Sequence, residues 1–140
     1  MKLLFVDDEK AFLDTLLKRL EKREINADAV YDGESAISYL SENANTDVIV
    51  LDVKMPGMDG LKTLEVIKNK NPLVEVIMLT GHATVENAIE GMKRGAFDYL
   101  MKPCNLEDLI RKIEQAATKK FKHEEKIMEA RAKEITGRMV

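Results

Sequence analysis

Five polar side chains stand where apolar runs stop. Asp7 and Asp8 follow residues 2–6, Asp52 follows residues 48–51, Thr80 follows Leu79 and Lys102 follows Met101. Three carboxylates brought together repel one another and do not all ionise comfortably without a cation. A hard divalent ion meets that need. Mg2+ takes one or two carboxylates, several waters and a phosphate oxygen. On this reading Asp7 and Asp8 hold Mg2+, Asp52 adds one oxygen and the Met55 backbone carbonyl closes the shell. Asp52 is then the candidate nucleophile for an aspartyl phosphate. Lys102 brings a mobile positive charge to the incoming phosphoryl group, and Thr80 brings a hydroxyl to one of its oxygens. Phosphoryl transfer needs mainly positioning and charge stabilisation, and this set supplies both. Each residue alone has a plainer role, as a helix N-terminal acid, a turn hydroxyl or a solvated charge. Their recurrence at the ends of different apolar runs favours the chemical role.

The elements that must position them follow from the pattern. Residues 2–6, 26–30, 48–51, 74–79 and 97–101 are short, apolar and often β-branched, without helical period, and read as strands. Between them, Phe12, Leu13, Leu16, Leu17 and Leu20 recur at helical spacing. So do Ala36, Ile37, Tyr39 and Leu40, and then Leu61, Leu64 and Ile67 after a capping Asp59. Thr84 opens a helix expected to bury Val85, Ala88, Ile89 and Met92 and to close at Gly95. Asn105 caps the last helix, with Asp108 three residues on as an approximate capping box. Strands alternating with helices at these spacings require parallel strands and right-handed crossovers. The expected fold is a flavodoxin-like α/β domain: a doubly wound five-stranded parallel sheet of order 2-1-3-4-5 with an extended C-terminal helix. That order, taken from the fold class, brings the carboxyl ends of strands one and three side by side at the switch point.

Composition narrows the rest. The 140 residues suit one domain, and net charge −3 argues against a general polyanion binder. No apolar run approaches a membrane span, and Asp7 and Asp8 interrupt the first one too early for a signal peptide. The single Cys104 permits no internal disulfide and suits a reducing cytoplasm. There is no Cys/His metal spacing, Walker loop or dinucleotide fingerprint.

At four places the chain resembles the response-regulator receiver domains of two-component signalling. These are Val6-Asp7-Asp8-Glu9, the run from Leu51-Asp52-Val53-Lys54-Met55-Pro56-Gly57 to Asp59-Gly60, Leu79-Thr80-Gly81-His82, and Phe97-Asp98-Tyr99-Leu100-Met101-Lys102-Pro103. They stand in order and at family spacing across residues 1 to about 118. The resemblance implies phosphotransfer from a histidine kinase, or a phosphotransfer protein, onto Asp52. It implies Mg2+ held by Asp7, Asp8, Asp52 and the Met55 carbonyl, a switch pair of Thr80 and Tyr99, and a cis Lys102-Pro103 peptide. It places Lys54 and His82 beside the path of the hydrolytic water. The expected role is a single-domain response regulator in a phosphorelay, which catalyses only its own phosphorylation and dephosphorylation. The wording from His82-Ala83-Thr84-Val85-Glu86 to Cys104 looks most like receivers of nitrogen-regulator-type activators. A receiver fragment of such an activator, without its ATPase and DNA-binding domains, is the alternative. A haloacid-dehalogenase phosphatase also uses a strand-end Asp, but needs an acid two residues on, where this chain has Lys54. A flavin mononucleotide binder of the same fold needs a Ser/Thr-rich loop after strand one, where Asp7-Asp8-Glu9 would repel the phosphate.

Beyond the expected receiver domain, residues 1–118, a helical extension covers 119–140. Phe121, Met128 and Ile135 repeat every seven residues, with Ala132 and Met139 between and beyond them. This is a short seam that a weak homodimer could share, although Glu124 and Glu125 occupy the turn where another apolar residue is wanted. The plainer reading is a solvated helix. Lys119, Lys120, Lys122 and Lys126 form a local basic patch. Interleaved acids and scarce aromatics speak against direct DNA binding. His123 reads as a surface residue, Cys104 as a loop or cap residue, and the methionines mostly as core filler.

Overall fold

The computed structural model describes residues 1–138. In chain order the elements are β1 (Leu3–Val6), α1 (Lys10–Glu21), β2 (Asp28–Val30), α2 (Gly33–Glu42), β3 (Val48–Leu51), α3 (Gly60–Lys70), β4 (Glu75–Thr80), α4 (Val85–Lys93), β5 (Asp98–Met101) and α5 (Leu106–Arg138). All strand pairs are parallel and the sheet order is β2-β1-β3-β4-β5, as expected. No helix among the described residues is long and apolar enough to cross a membrane.

Strand residues alternate between two cores, because side chains on a strand point to opposite faces in turn. Leu3, Phe5, Val48, Val50, Ile77 and Leu79 meet α1 and α5, chiefly Leu13, Leu16, Leu20, Leu109 and Ile113. Leu4, Val6, Ile49, Leu51, Val76 and Met78 meet α2 and α3 through Ala36, Leu40, Leu64 and Ile67. A central strand buried on both faces reads as an unbroken apolar run, which is why β1 and β3 carry no alternation in sequence. The caps follow the same local logic. Asp59 accepts from the Lys62 amide at 2.9 Å and Asn105 from the Glu107 amide at 2.8 Å. Asp32 caps α2 through Ser35. Asp108 does not complete a capping box; its carboxylate takes the Arg111 guanidinium.

Three further expectations are corrected. Helix α4 does not bury its apolar residues: Val85, Ile89 and Met92 are exposed, Ala88 is half-buried and only Gly91 is buried. The helix docks at the sheet edge through that glycine, where a Cβ would lie 3.4 Å from the Tyr99 ring, and the larger side chains stay outside. The methionines are not mostly core filler. Met55 and Met78 are buried, whereas Met1, Met92, Met101 and Met128 are exposed; Met139 lies outside the described residues.

Lys120 does not belong to a solvated basic patch. It is buried, and its ammonium is 2.6 Å from Asp47 Oδ1 and 3.1 Å from Glu124 Oε1. Burial pulls its pKa down, but the bonds to Asp47 and Glu124 outweigh that and raise it. Beside it Lys119 pairs with buried Glu75 at 3.5 Å. Helix α5 is thus held to the amino-terminal edge of the sheet by two adjacent lysines, and it continues unbroken past them.

Candidate functional site

Register brings the site together. Val6 pairs with Leu51, so Asp7 and Asp52, one residue further on, stand side by side beyond the sheet. Leu51 pairs with Met78, and Thr80 pairs with Met101, which sets Thr80 and Lys102 on the same edge. Oxygens of Asp7, Asp8 and Asp52 all lie within 4.8 Å of one another. Asp7 and Asp52 are buried, while Asp8 is exposed and leaves one side open to water. An all-oxygen donor set of this size fits a hard divalent cation, with room for the waters that Mg2+ retains.

Lys102 is the cation inside this acidic group. Its Nζ is 2.6 Å from Asp7 Oδ2, 3.4 Å from Glu9 Oε1 and 3.8 Å from Asp52 Oδ2. It also lies over the Phe12 ring, 4.2 Å from the centroid, which holds the stem from the α1 side. Burial lowers the Lys102 pKa, but the bond to Asp7 and the charges of Asp7, Asp52 and Glu9 together raise it. Burial, with the Asp52 charge adding to it, keeps Asp7 above the usual aspartate range despite Lys102. The group is a strained concentration of negative charge with one ammonium to share.

Asp52 is fixed by backbone. Its amide donates to the Val6 carbonyl at 2.9 Å, and its Oδ1 accepts from the Val53 amide at 2.8 Å. The start of α3 closes tightly over this turn. The Gly60 amide donates to the Val53 carbonyl at 2.6 Å, and a Cβ on Gly60 would lie 1.9 Å from the Asp52 carbonyl oxygen. Only glycine allows that approach. In sequence Gly60 stands only as part of the motif that carries the resemblance.

Thr80 is fully buried, and its hydroxyl oxygen accepts from the His82 amide at 3.0 Å. The residue beyond it, Gly81, faces open space. Tyr99 is half-buried with its hydroxyl turned inside, and that hydroxyl has no hydrogen-bond partner among the described residues. Burial first, and the Asp52 charge second, raise its pKa. The Lys102-Pro103 peptide is cis, as the resemblance implied. Lys54 and His82 are both exposed. The structure therefore gathers Asp7, Asp8, Asp52, Thr80 and Lys102 on one edge, with Tyr99 beneath. Glu9, Phe12 and the Val53 amide are the participants that sequence reasoning missed. Only Glu9, beside Asp8, carried a signal that could have been used.

Comparison with known proteins agrees with this architecture. The response regulator receiver domain family matches residues 3–114. A putative NtrX-like response regulator of Rickettsia conorii is 36% identical over 112 residues, 79% of this chain and 23% of that protein. The DNA-binding transcriptional regulator NtrC of Salmonella typhimurium is 30% identical over 132 residues, 94% of this chain and 27% of that protein. The chain thus spans about a quarter of the length of the curated relatives it matches. Among solved structures, the NtrX receiver domain of Brucella abortus superposes with a TM-score of 0.76 at 31% identity, covering 83% of this chain and 98% of that one. A receiver domain protein of Clostridium thermocellum gives 0.80 at 38% identity, covering 85% and 95%.

Proposed function

From the premise that this chain belongs to the response regulator receiver domain family, we propose that it is a signalling phosphoacceptor, taking a phosphoryl group from a histidine kinase or phosphotransfer protein onto Asp52. The observation that carries this is the sharing of one ammonium: Lys102 Nζ is 2.6 Å from Asp7 and 3.8 Å from Asp52. A phosphoryl group on Asp52 would bring new oxygens into the space Lys102 already borders.

The residues divide the work. The Val53 amide holds Asp52 Oδ1, which fixes the carboxylate plane while an Asp52 oxygen attacks phosphorus. The new bond is the acyl phosphate O–P bond; the bond that breaks is P–N, its electron pair returning to the donor imidazole. Lys102 turns from Asp7 toward the phosphoryl oxygens as their charge arrives. The Thr80 hydroxyl, freed from the His82 amide, donates to another of them. Asp7, Asp8, an Asp52 oxygen and the Met55 carbonyl would hold Mg2+, which supplies charge neutralisation for the carboxylates and the phosphoryl group. The switch is a population shift: movement of Thr80 toward phosphate changes the packing around Tyr99.

In this reading residues 1–118 are the receiver and 119–140 a helical extension, of which 139 and 140 lie outside the described residues, working in the cytoplasm. A second reading, that the chain is the receiver part of a longer activator, draws on the quarter-length coverage of its relatives; reading the gene beyond residue 140 decides it. The test of the function is incubation with acetyl phosphate and Mg2+. One phosphoryl group should be added, and chelation or Asp52→Ala should each prevent it. Equal labelling of the Asp52→Ala protein overturns the assignment.

A further inference from the structure

Helix α5 continues from Lys120 to Arg138 with its apolar residues uncovered: Phe121 is 48% exposed, Met128 70% and Ile135 56%. Thr118, Glu125 and Ala132 alternate with them at steps of three and four, completing one face. That spacing is the seam of a two-stranded coil. The receiver body has already nucleated the helix through the Lys119–Glu75 and Lys120–Asp47 pairs, so the seam does not have to bear the nucleation penalty of an isolated helix.

Charge selects the occupant and its direction. In a parallel pair Glu125 would meet Glu125 of a second copy in the same layer, and Glu124 would flank that copy's Glu129. Both contacts are repulsive. In an antiparallel pair centred between residues 126 and 127, every one of these relations changes. Phe121 lies level with the second copy's Ala132, Glu125 with its Met128, and Ile135 with its Thr118. The flanking positions then set Glu124 against Arg131 and Lys122 against Glu129, each twice by symmetry. All four flanking pairs are opposite in charge. Self-complementarity of this kind is what a two-fold interface needs.

We propose that α5 beyond Lys120 is a self-association surface that takes a second copy of this chain, the two helices running antiparallel over about 26 Å. Glu125 sits near the centre of the seam, so the dimer is weak and responds to charge.

Sedimentation equilibrium of the whole chain and of variants at exposed seam positions tests this, with helicity by circular dichroism confirming the fold. The wild-type chain should show a monomer–dimer equilibrium, and Glu125→Leu should tighten it at least tenfold. Glu129→Lys sets a second ammonium against Lys122 and should weaken the antiparallel dimer about tenfold, while Lys122→Glu combined with Glu129→Lys should restore it. In a parallel dimer Glu129→Lys would instead relieve Glu124 and tighten association. Tightening by Glu129→Lys overturns the proposal. So does a dissociation constant indifferent to all three variants, or a chain that stays monomeric even with Glu125→Leu.

Discussion

The Lys102 ammonium is bound to the Asp7 carboxylate at 2.6 Å, although its nearest Asp52 oxygen is 3.8 Å away. The lysine rests on a residue proposed to hold the cation, one side chain short of the proposed phosphoacceptor. On the proposed reading, a cation that neutralises Asp7 would release Lys102 for Asp52, and competition for this ammonium would link cation binding to phosphoryl transfer.

The first prediction concerns pH. Burial foremost raises the Asp7 pKa, so the folded protein keeps this proton to higher pH than the unfolded chain does. The contribution of such a group to stability is complete below its unfolded pKa and is lost as pH rises through the raised folded value. At neutral pH a charged Asp7 therefore lowers the stability of the ion-free protein, and Mg2+ binding, which needs that charge, offsets the loss. Melting curves should show Mg2+ raising Tm at neutral pH, with the rise fading as pH falls toward the ordinary aspartate range. An equal rise at both ends would show that Asp7 does not bind the ion.

The second concerns Tyr99, whose buried hydroxyl has no partner among the described residues. Leaving such a group unsatisfied costs about 1 kcal/mol or more. Tyr99→Phe should raise unfolding stability in urea by about 1 kcal/mol. It should leave acetyl phosphate labelling intact, because the hydroxyl touches none of the site's hydrogen bonds. A loss of stability would mean that the hydroxyl is satisfied in solution.

The third concerns the lysines at the far edge of the sheet. Lys120→Met would strip buried Asp47 of its ammonium and leave it the Lys2 amide at 2.6 Å. Breaking a buried pair from one side costs about 3 kcal/mol, read as a lower urea midpoint. For the same reason a truncation made to test the tail must end beyond Glu124; cutting at Lys119 would damage the body. A stability change under about 0.5 kcal/mol would mark this pair as no better than a surface bridge.

The fourth concerns turnover. Lys54 and His82 are exposed, two residues beyond the proposed phosphoacceptor Asp52 and beyond Thr80, and neither is a carboxylate or amide suited to orienting an in-line water. Self-dephosphorylation should be slow to intermediate, and Lys54→Asn should speed it several-fold. A decay rate that is unchanged or slower would refute the role.

Much of this was legible in sequence because the site is built at strand ends. An apolar run that stops at Asp52 announces both the strand and the residue beyond it, and the same holds at Asp7 and Lys102. What periodicity could not say is whether anything covers an apolar face. Val85, Ile89 and Met92 form a helical stripe, yet α4 docks through Gly91 and leaves them outside. Nor could local sequence say that Lys120 is buried, since its partner Asp47 is 73 residues away. Gly60 reads as a loop residue; that its missing side chain admits α3 against the Asp52 carbonyl appears only in three dimensions.

The most direct test of the account is to find the carboxylate that carries the phosphoryl group. Protein labelled with acetyl phosphate and Mg2+ should be reduced with borohydride, which converts an aspartyl phosphate to homoserine, and mapped by peptide mass spectrometry. Homoserine in place of Asp52, with Asp7 and Asp8 unchanged, is the predicted result. Homoserine at position 7 or 8, or a phosphoryl group that resists reduction altogether, would contradict it.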